Sequence, residues 1–298
     1  MNEVLTYNTL LVLAGTSLLG AASGLVGSLA ILRRQALVGD VFAHAALPGL
    51  CLAFILVGER SLIALLTGGF ISGVVGLLLV SGITRYSHIK QDAALGIVLS
   101  TFFGLGIVLS SIIQHMSTGN KAGIDSYIFG KTAGIIAQDV YLIGISALLC
   151  LFAMLLLYKE FQVITFDADF AMAQGWPIKR LDTAIIGLIG LLVVMGLPAV
   201  GVIMMAALLI LPGITARFWT ERFSTMLWLG ALIGFVIGAV GTAFSAHYAS
   251  LKAGPTIVLV GATFFLISAI IAPRRGLIAR WRQVNVIDTS VLDTEFTR

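Results

Sequence analysis

Charge is scarce in this chain: of 298 residues only 11% are Asp, Glu, Lys or Arg, while 59% are hydrophobic. Soluble domains carry about 25% charged residues, so the composition excludes a water-soluble globule and implies an integral membrane protein with many spans. The short alternating segments of a membrane barrel are missing as well. The apolar runs are long and continuous, which makes the spans helical and the fold class all-α, a polytopic transmembrane helical bundle. Cysteine is nearly absent: Cys51 and Cys150 both fall in apolar runs and read as small buried hydrophobes. There is no basic n-region before the first apolar run, so that run is expected to be retained as a span rather than removed as a signal peptide. Motifs for nucleotide hydrolysis and for zinc proteolysis are lacking too. Phe129-Gly130-Lys131-Thr132 has the end of a phosphate loop, but the earlier glycine it requires falls at Asp125, and no His-Glu-x-x-His occurs. Neither a clear internal repeat nor a basic patch for nucleic acid is present, and the net charge of +4 is better read through loop placement.

What is present is a series of apolar runs at about residues 10–32, 36–57, 62–84, 93–113, 140–158, 181–197, 199–216, 226–248 and 256–272. The pair around Pro198 is short for two crossings, because only about 35 residues separate its basic ends. Eight or nine spans are therefore expected, in a permease domain over residues 1–283 with a polar tail at 284–298. With the N-terminus outside, the inner loops hold Arg33, Arg34, Arg85, Lys90, Lys159, Lys179, Arg180, Arg217, Arg222, Arg274, Arg275, Arg280, Arg282 and Arg298. The outer loops then hold only Arg60, Lys121, Lys131 and Lys252 of the 18 basic residues. That fourteen-to-four split predicts N-out and C-in. Gly20 and Gly24, Gly69 and Gly73, and the ladder Gly230, Gly234, Gly238 are spaced to let helices approach closely.

Two ionisable residues interrupt the second run. Asp40 and His44 are four apart and share one helix face. Counted from Arg34 at the membrane surface, they lie about 9 and 15 Å deep, which brings His44 close to the midplane. Each such group costs roughly 2.5–3.5 kcal/mol to insert and usually faces a partner, a cavity or a permeating species. Carboxylate plus imidazole is a ligand pair for a divalent transition metal. The bland alternative is an Asp–His hydrogen bond that ties helices together. His115 and His247, near the outer ends of their helices, are further candidates for contact with an incoming cation, or simply mark the interface; His88 reads as a surface residue.

Two loops exceed what connection requires. The outer one, residues 114–139, contains Tyr127-Ile128-Phe129-Gly130, which suggests a helix dipping back into the outer leaflet. In the inner one, residues 160–180, Thr165 or Asp167 can cap a short helix running through Ala173. Asp167 and Asp169 lie at its positive end, Gly175 forms its stop and Pro177 follows. Phe166, Phe170, Met172 and Trp176 would then face the cytosol as a docking surface, or lie in the lipid interface.

These segments occur in a telling order. Residues 37–49 read Leu-Val-Gly-Asp-Val-Phe-Ala-His-Ala-Ala-Leu-Pro-Gly. The Tyr-Ile-Phe-Gly segment follows, then Phe166 to Gly175, Phe-Asp-Ala-Asp-Phe-Ala-Met-Ala-Gln-Gly. Last come Val200-Gly-Val-Ile-Met-Met-Ala-Ala-Leu-Leu-Ile-Leu-Pro212 and Thr215-Ala-Arg217. Together they resemble the membrane permease of the bacterial ABC-type manganese/zinc/iron uptake systems, over nearly the whole chain to about Arg275. The resemblance implies a type II-like importer in the bacterial plasma membrane: two permease subunits, identical or paralogous, two cytoplasmic ATPases, and an extracellular or periplasmic metal-binding protein. It implies no permanently bound cofactor, only a transported manganese, zinc or iron ion. It makes Asp40 and His44 the candidate metal-contacting or gating pair and residues 165–177 the candidate coupling helix on the ATPase. A proton-coupled secondary metal transporter, in which Asp40 also relays protons, and a purely structural membrane subunit are the alternatives.

Overall fold

The computed structural model describes residues 7–57, 61–115, 130, 132–248, 251–273 and 276. Every regular element among them is helical. In chain order these are α1 (Tyr7–Leu32), α2 (Ala36–Val57), α3 (Leu62–Tyr86), α4 (Gln91–His115), a 3-10 turn (Thr132–Gly134) and α5 (Ala137–Leu156). After them come the short α6 (Tyr158–Phe166) and α7 (Ala168–Ala173), then α8 (Ile178–Val200), α9 (Val202–Trp219), α10 (Phe223–His247) and α11 (Ala253–Ile271). Among the described residues nine helices, all but α6 and α7, are long and apolar enough to cross a membrane.

The pair around Pro198 is thus two helices of span length. The apolar runs stop at the basic residues and the helices do not: α8 begins before Lys179 and Arg180 and is longer than its run, while α9 is as long as its run but lies three residues further on, past Arg217. At 1.5 Å per residue they measure about 34 and 27 Å, against a hydrocarbon core of about 30 Å. Gly201 alone joins them, at φ 79°, a conformation that favours glycine. The dipping segment expected at Tyr127 to Phe129 and the tail at 284–298 lie outside the described residues.

Glycine sets the packing. α1 crosses α10 with Gly20 opposite Gly234 and Gly24 opposite Gly230, so close that a methyl group on any of them would overlap a carbonyl of the facing helix. Thr16 extends the seam with a hydroxyl–hydroxyl hydrogen bond of 2.8 Å to Thr242. On α3, Gly73 lies beneath the ring of Phe42 and Gly69 against Leu50. α1, α2, α8 and α9 form the buried centre, while α4, α5 and α11 present most of their surface outward.

One end of the bundle carries α6 and α7. The ring of Phe223, at the start of α10, packs on Tyr158 (5.4 Å between centroids) and on Phe166 (6.1 Å), and this seats α6 beneath the spans. The short inner helix is α7, capped by Asp167, the second of the two expected residues; the unexpected element is α6 before it, and the chain breaks between the two at Asp167 (φ −146°, ψ 86°). Thr165 is not the cap. Its hydroxyl donates to the Phe161 carbonyl inside α6, and the Asp167 carboxylate accepts from Phe170 N at 2.8 Å to start α7. α7 closes in a Schellman turn at Gly175 (φ 80°), with Gly175 N–H on Met172 O and Trp176 N–H on Ala171 O, both 3.0 Å.

Candidate metal-ion site

α2 is held on three sides. The Phe42 ring fills the space left by Gly73 of α3 and Gly190 of α8, Gly39 admits the Leu209 side chain of α9, and Gly106 of α4 accepts Leu47 and Pro48. Ser72 of α3 also donates to the Ala45 carbonyl at 2.7 Å. These contacts fix the helix rotation. The least covered side carries the exposed Leu37, Leu52 and Leu56 with the partly buried Asp40 and His44 between them, each an i+3, i+4 or i+8 step from the last.

His44 Nε2 lies 3.4 Å from Asp40 Oδ1, and the two side chains are 18% and 27% exposed. That separation exceeds the usual hydrogen-bond range of about 2.7–3.2 Å. The Phe103 ring of α4 meets the His44 imidazole edge-on, centroids 4.9 Å apart at 86°, which limits the ring's rotation. His44 Nδ1 is buried with no hydrogen-bond partner. The Asp40–His44 contact lies within one helix, and what His44 meets on α4 is the Phe103 ring.

Pro48, four residues beyond His44, withholds the N–H that would pair with the His44 carbonyl. From there an open apolar cavity of about 560 Å³ runs away from the α7 end, lined by Pro48, Leu52 and Leu56 of α2, Ile71 of α3 and Phe102 and Leu105 of α4. Asp40 and His44 follow on the same line of α2 as the first three.

The remaining candidates stand apart. His115 ends α4 and His247 ends α10, both exposed at the end opposite α7. The His115 ring bonds to the Ser111 carbonyl (2.7 Å), and the His247 ring packs edge-on against Tyr248 at 4.9 Å. Among the described residues no group of three His, Cys, Asp or Glu is arranged to hold a metal ion. On α7, Phe170 and Met172 are 51% and 64% exposed, Phe166 just before it 63%, and Asp169, Gly175 and Pro177 are also exposed. Ala171 is the face turned inward. Sequence reasoning missed Phe103, whose role depends on how α4 lies against α2, and Arg33, which it placed at the membrane surface.

Residues 6–272 match the ABC 3 transport family. The chain is 47% identical over 274 residues to the manganese transport system membrane protein MntC of Bacillus subtilis (strain 168), a match over 92% of this chain and 63% of that protein's length. It is 41% identical over 276 residues to the zinc transport system membrane protein TroC of Treponema pallidum (strain Nichols), covering 92% of this chain and 93% of that one. A chain in the structure of PsaBC from Streptococcus pneumoniae in complex with Fab superposes with a TM-score of 0.82 at 28% identity, over 94% of this chain and 96% of that one. With nine helices of span length among the described residues and a match over residues 6–272, the chain belongs to the ABC 3 transport family.

Proposed function

We propose that this chain is the permease subunit of an ATP-driven importer for a divalent transition metal ion in the bacterial plasma membrane, with manganese first and zinc or iron as alternatives. The observation that carries the reading is the pair Asp40 and His44 on the least covered side of an otherwise buried helix. Facing lipid there, an ionised carboxylate would cost several kcal/mol. A second permease subunit against the same face removes that cost and brings a second Asp–His pair, giving four donors, the usual coordination number of a zinc-like ion. Asp40 supplies charge and an oxygen ligand, and His44 supplies nitrogen.

The relatives named for manganese and zinc transport support the choice of cargo. Nitrogen and oxygen donors by themselves favour zinc over manganese, so selection for manganese rests on site geometry and on the metal-binding protein that delivers the ion outside the cell. The exposed Phe170 and Met172 on α7 form the surface for a cytoplasmic ABC ATPase, since the chain has no complete phosphate loop of its own. This orientation puts the N-terminus outside and the C-terminus in the cytoplasm, as the basic residues require.

The test is metal accumulation by cells expressing Asp40→Ala, His44→Ala or Asp40→Asn at matched membrane levels. Each should abolish uptake while the ATPase still co-purifies. Asp40→Asn fails because it keeps shape and loses charge. Normal accumulation in either alanine variant would overturn the assignment.

A further inference from the structure

Arg33 lies at the α7 end and is largely buried, its side chain only 15% exposed. One arm of the guanidinium, Nη1, donates to the Ile164 carbonyl at 2.6 Å, and the other, Nη2, to Asp182 Oδ1 of α8 at 2.5 Å. Ile164 belongs to the last turn of α6, where carbonyls lack partners within the helix and a cation is favoured. Three residues later Asp167 starts α7. Arg33 thus grips the joint from which the exposed Phe170 and Met172 project.

The other side of Arg33 is equally stiff. α1 ends in a Schellman turn: Arg34 N–H bonds to Ile31 O (3.1 Å) and Gln35 N–H to Ala30 O (2.7 Å), with Arg34 at φ 57°. α2 starts at the next residue, Ala36, so no slack separates Arg33 from α2. Asp40 follows within its first two turns. α6 and α7, by contrast, pack on each other, on α5 and α8, and through Tyr158 and Phe166 on Phe223 of α10.

We propose that Arg33, with Asp182 and the Ile164 carbonyl, is the link by which movement of the ATPase-docking helix α7 reaches α2 and the Asp40–His44 pair. The inference rests on the reading of α7 and of that pair given above. Arg33 is a positioning residue: it contacts no ion, and it couples the helix that docks the ATPase to the helix that carries the Asp40–His44 pair. Arginine suits the task because its planar fork serves a carbonyl and a carboxylate at once, which lysine cannot do with the same geometry.

The experiment uses the complete transporter, permease with ATPase and metal-binding protein, reconstituted in liposomes. ATP hydrolysis and Mn²⁺ uptake are measured on the same preparation for wild type, Arg33→Gln, Asp182→Asn, the double variant and Asp182→Glu. The ATPase should co-purify and hydrolyse ATP in all of them. Metal moved per ATP should fall about two- to thirty-fold in each single variant, the range seen for substitutions along a coupling route. The double variant should be no worse than Arg33→Gln, and Asp182→Glu should recover part of the loss. Unchanged metal per ATP in both single variants would overturn the link. So would loss of the ATPase from the complex, which would make the contact a support for the docking surface only, or a double variant whose loss is the product of the singles. Failure of the underlying reading looks different: Phe170→Asp would then leave the ATPase bound, or Asp40→Ala would leave uptake intact.

Discussion

Replacing Phe170 by Asp should detach the ATPase without unfolding the permease. α7 is held by the Asp167 cap, the Gly175 turn and the inward Ala171, and none of these involves the Phe170 side chain. Phe170 is 51% exposed, so roughly half of its surface remains to be covered by a partner. Full burial of a phenylalanine is worth about 1.5–3 kcal/mol, which makes the lost apolar contribution about 1 kcal/mol. A carboxylate left unpaired in the contact adds about 2–5 kcal/mol. The sum, about 3–6 kcal/mol, weakens association by a factor of roughly 10² to 10⁴. The assay is a pull-down titrated with ATPase, run beside a thermal unfolding measurement on the variant permease in detergent. Met172→Asp should behave alike. Unchanged co-purification with both charged variants, at unchanged thermal stability, would refute the reasoning and leave the α9–α10 junction, with Arg217 in the last turn of α9 and Arg222 before α10, as the next candidate.

Two further outcomes follow from the fold. A cysteine placed at Thr118 should react with a membrane-impermeant thiol reagent in whole cells, and one at Gln174 only after lysis; the reverse pattern would invert the topology and with it the docking argument. Gly234→Leu should destabilise the bundle by about 1–3 kcal/mol, because its side chain meets the backbone of α1 at Gly20, whereas Gly82→Ala, with open space around it, should be neutral or stabilising. Equal thermal stability of the two variants would show that the α1–α10 seam is not closely packed.

Much of this architecture was legible because apolar length alone identifies spans, and glycines at four-residue spacing identify faces that must touch. Gly20, Gly24, Gly230 and Gly234 all lie where that spacing placed them. The crossings around Pro198 are obscured in the sequence because Lys179, Arg180 and Arg217 bound the apolar runs, although helices continue beyond their charged ends and long basic side chains reach back to water. The break at Asp167 was a matter of local competition: Thr165 and Asp167 are both capping residues, and only the backbone shows that Thr165 bonds within α6. At the candidate site, spacing sufficed to pair Asp40 with His44, since both lie on one helix. Phe103 and the grip of Arg33 on Asp182 join residues far apart in the chain, and no local pattern announces such contacts.

The central claim is that a metal ion rests between Asp40 and His44 on its way through the membrane. Pulsed electron paramagnetic resonance of Mn²⁺ bound to the purified, ATP-free transporter addresses it directly, because an imidazole nitrogen ligand imprints its own hyperfine coupling on the Mn²⁺ signal. The account predicts such a nitrogen coupling in the wild type. It should vanish in His44→Ala, with bound Mn²⁺ also falling in Asp40→Asn. A nitrogen coupling that persists in His44→Ala, or Mn²⁺ bound with undiminished affinity in both variants, would place the ion elsewhere and contradict the account.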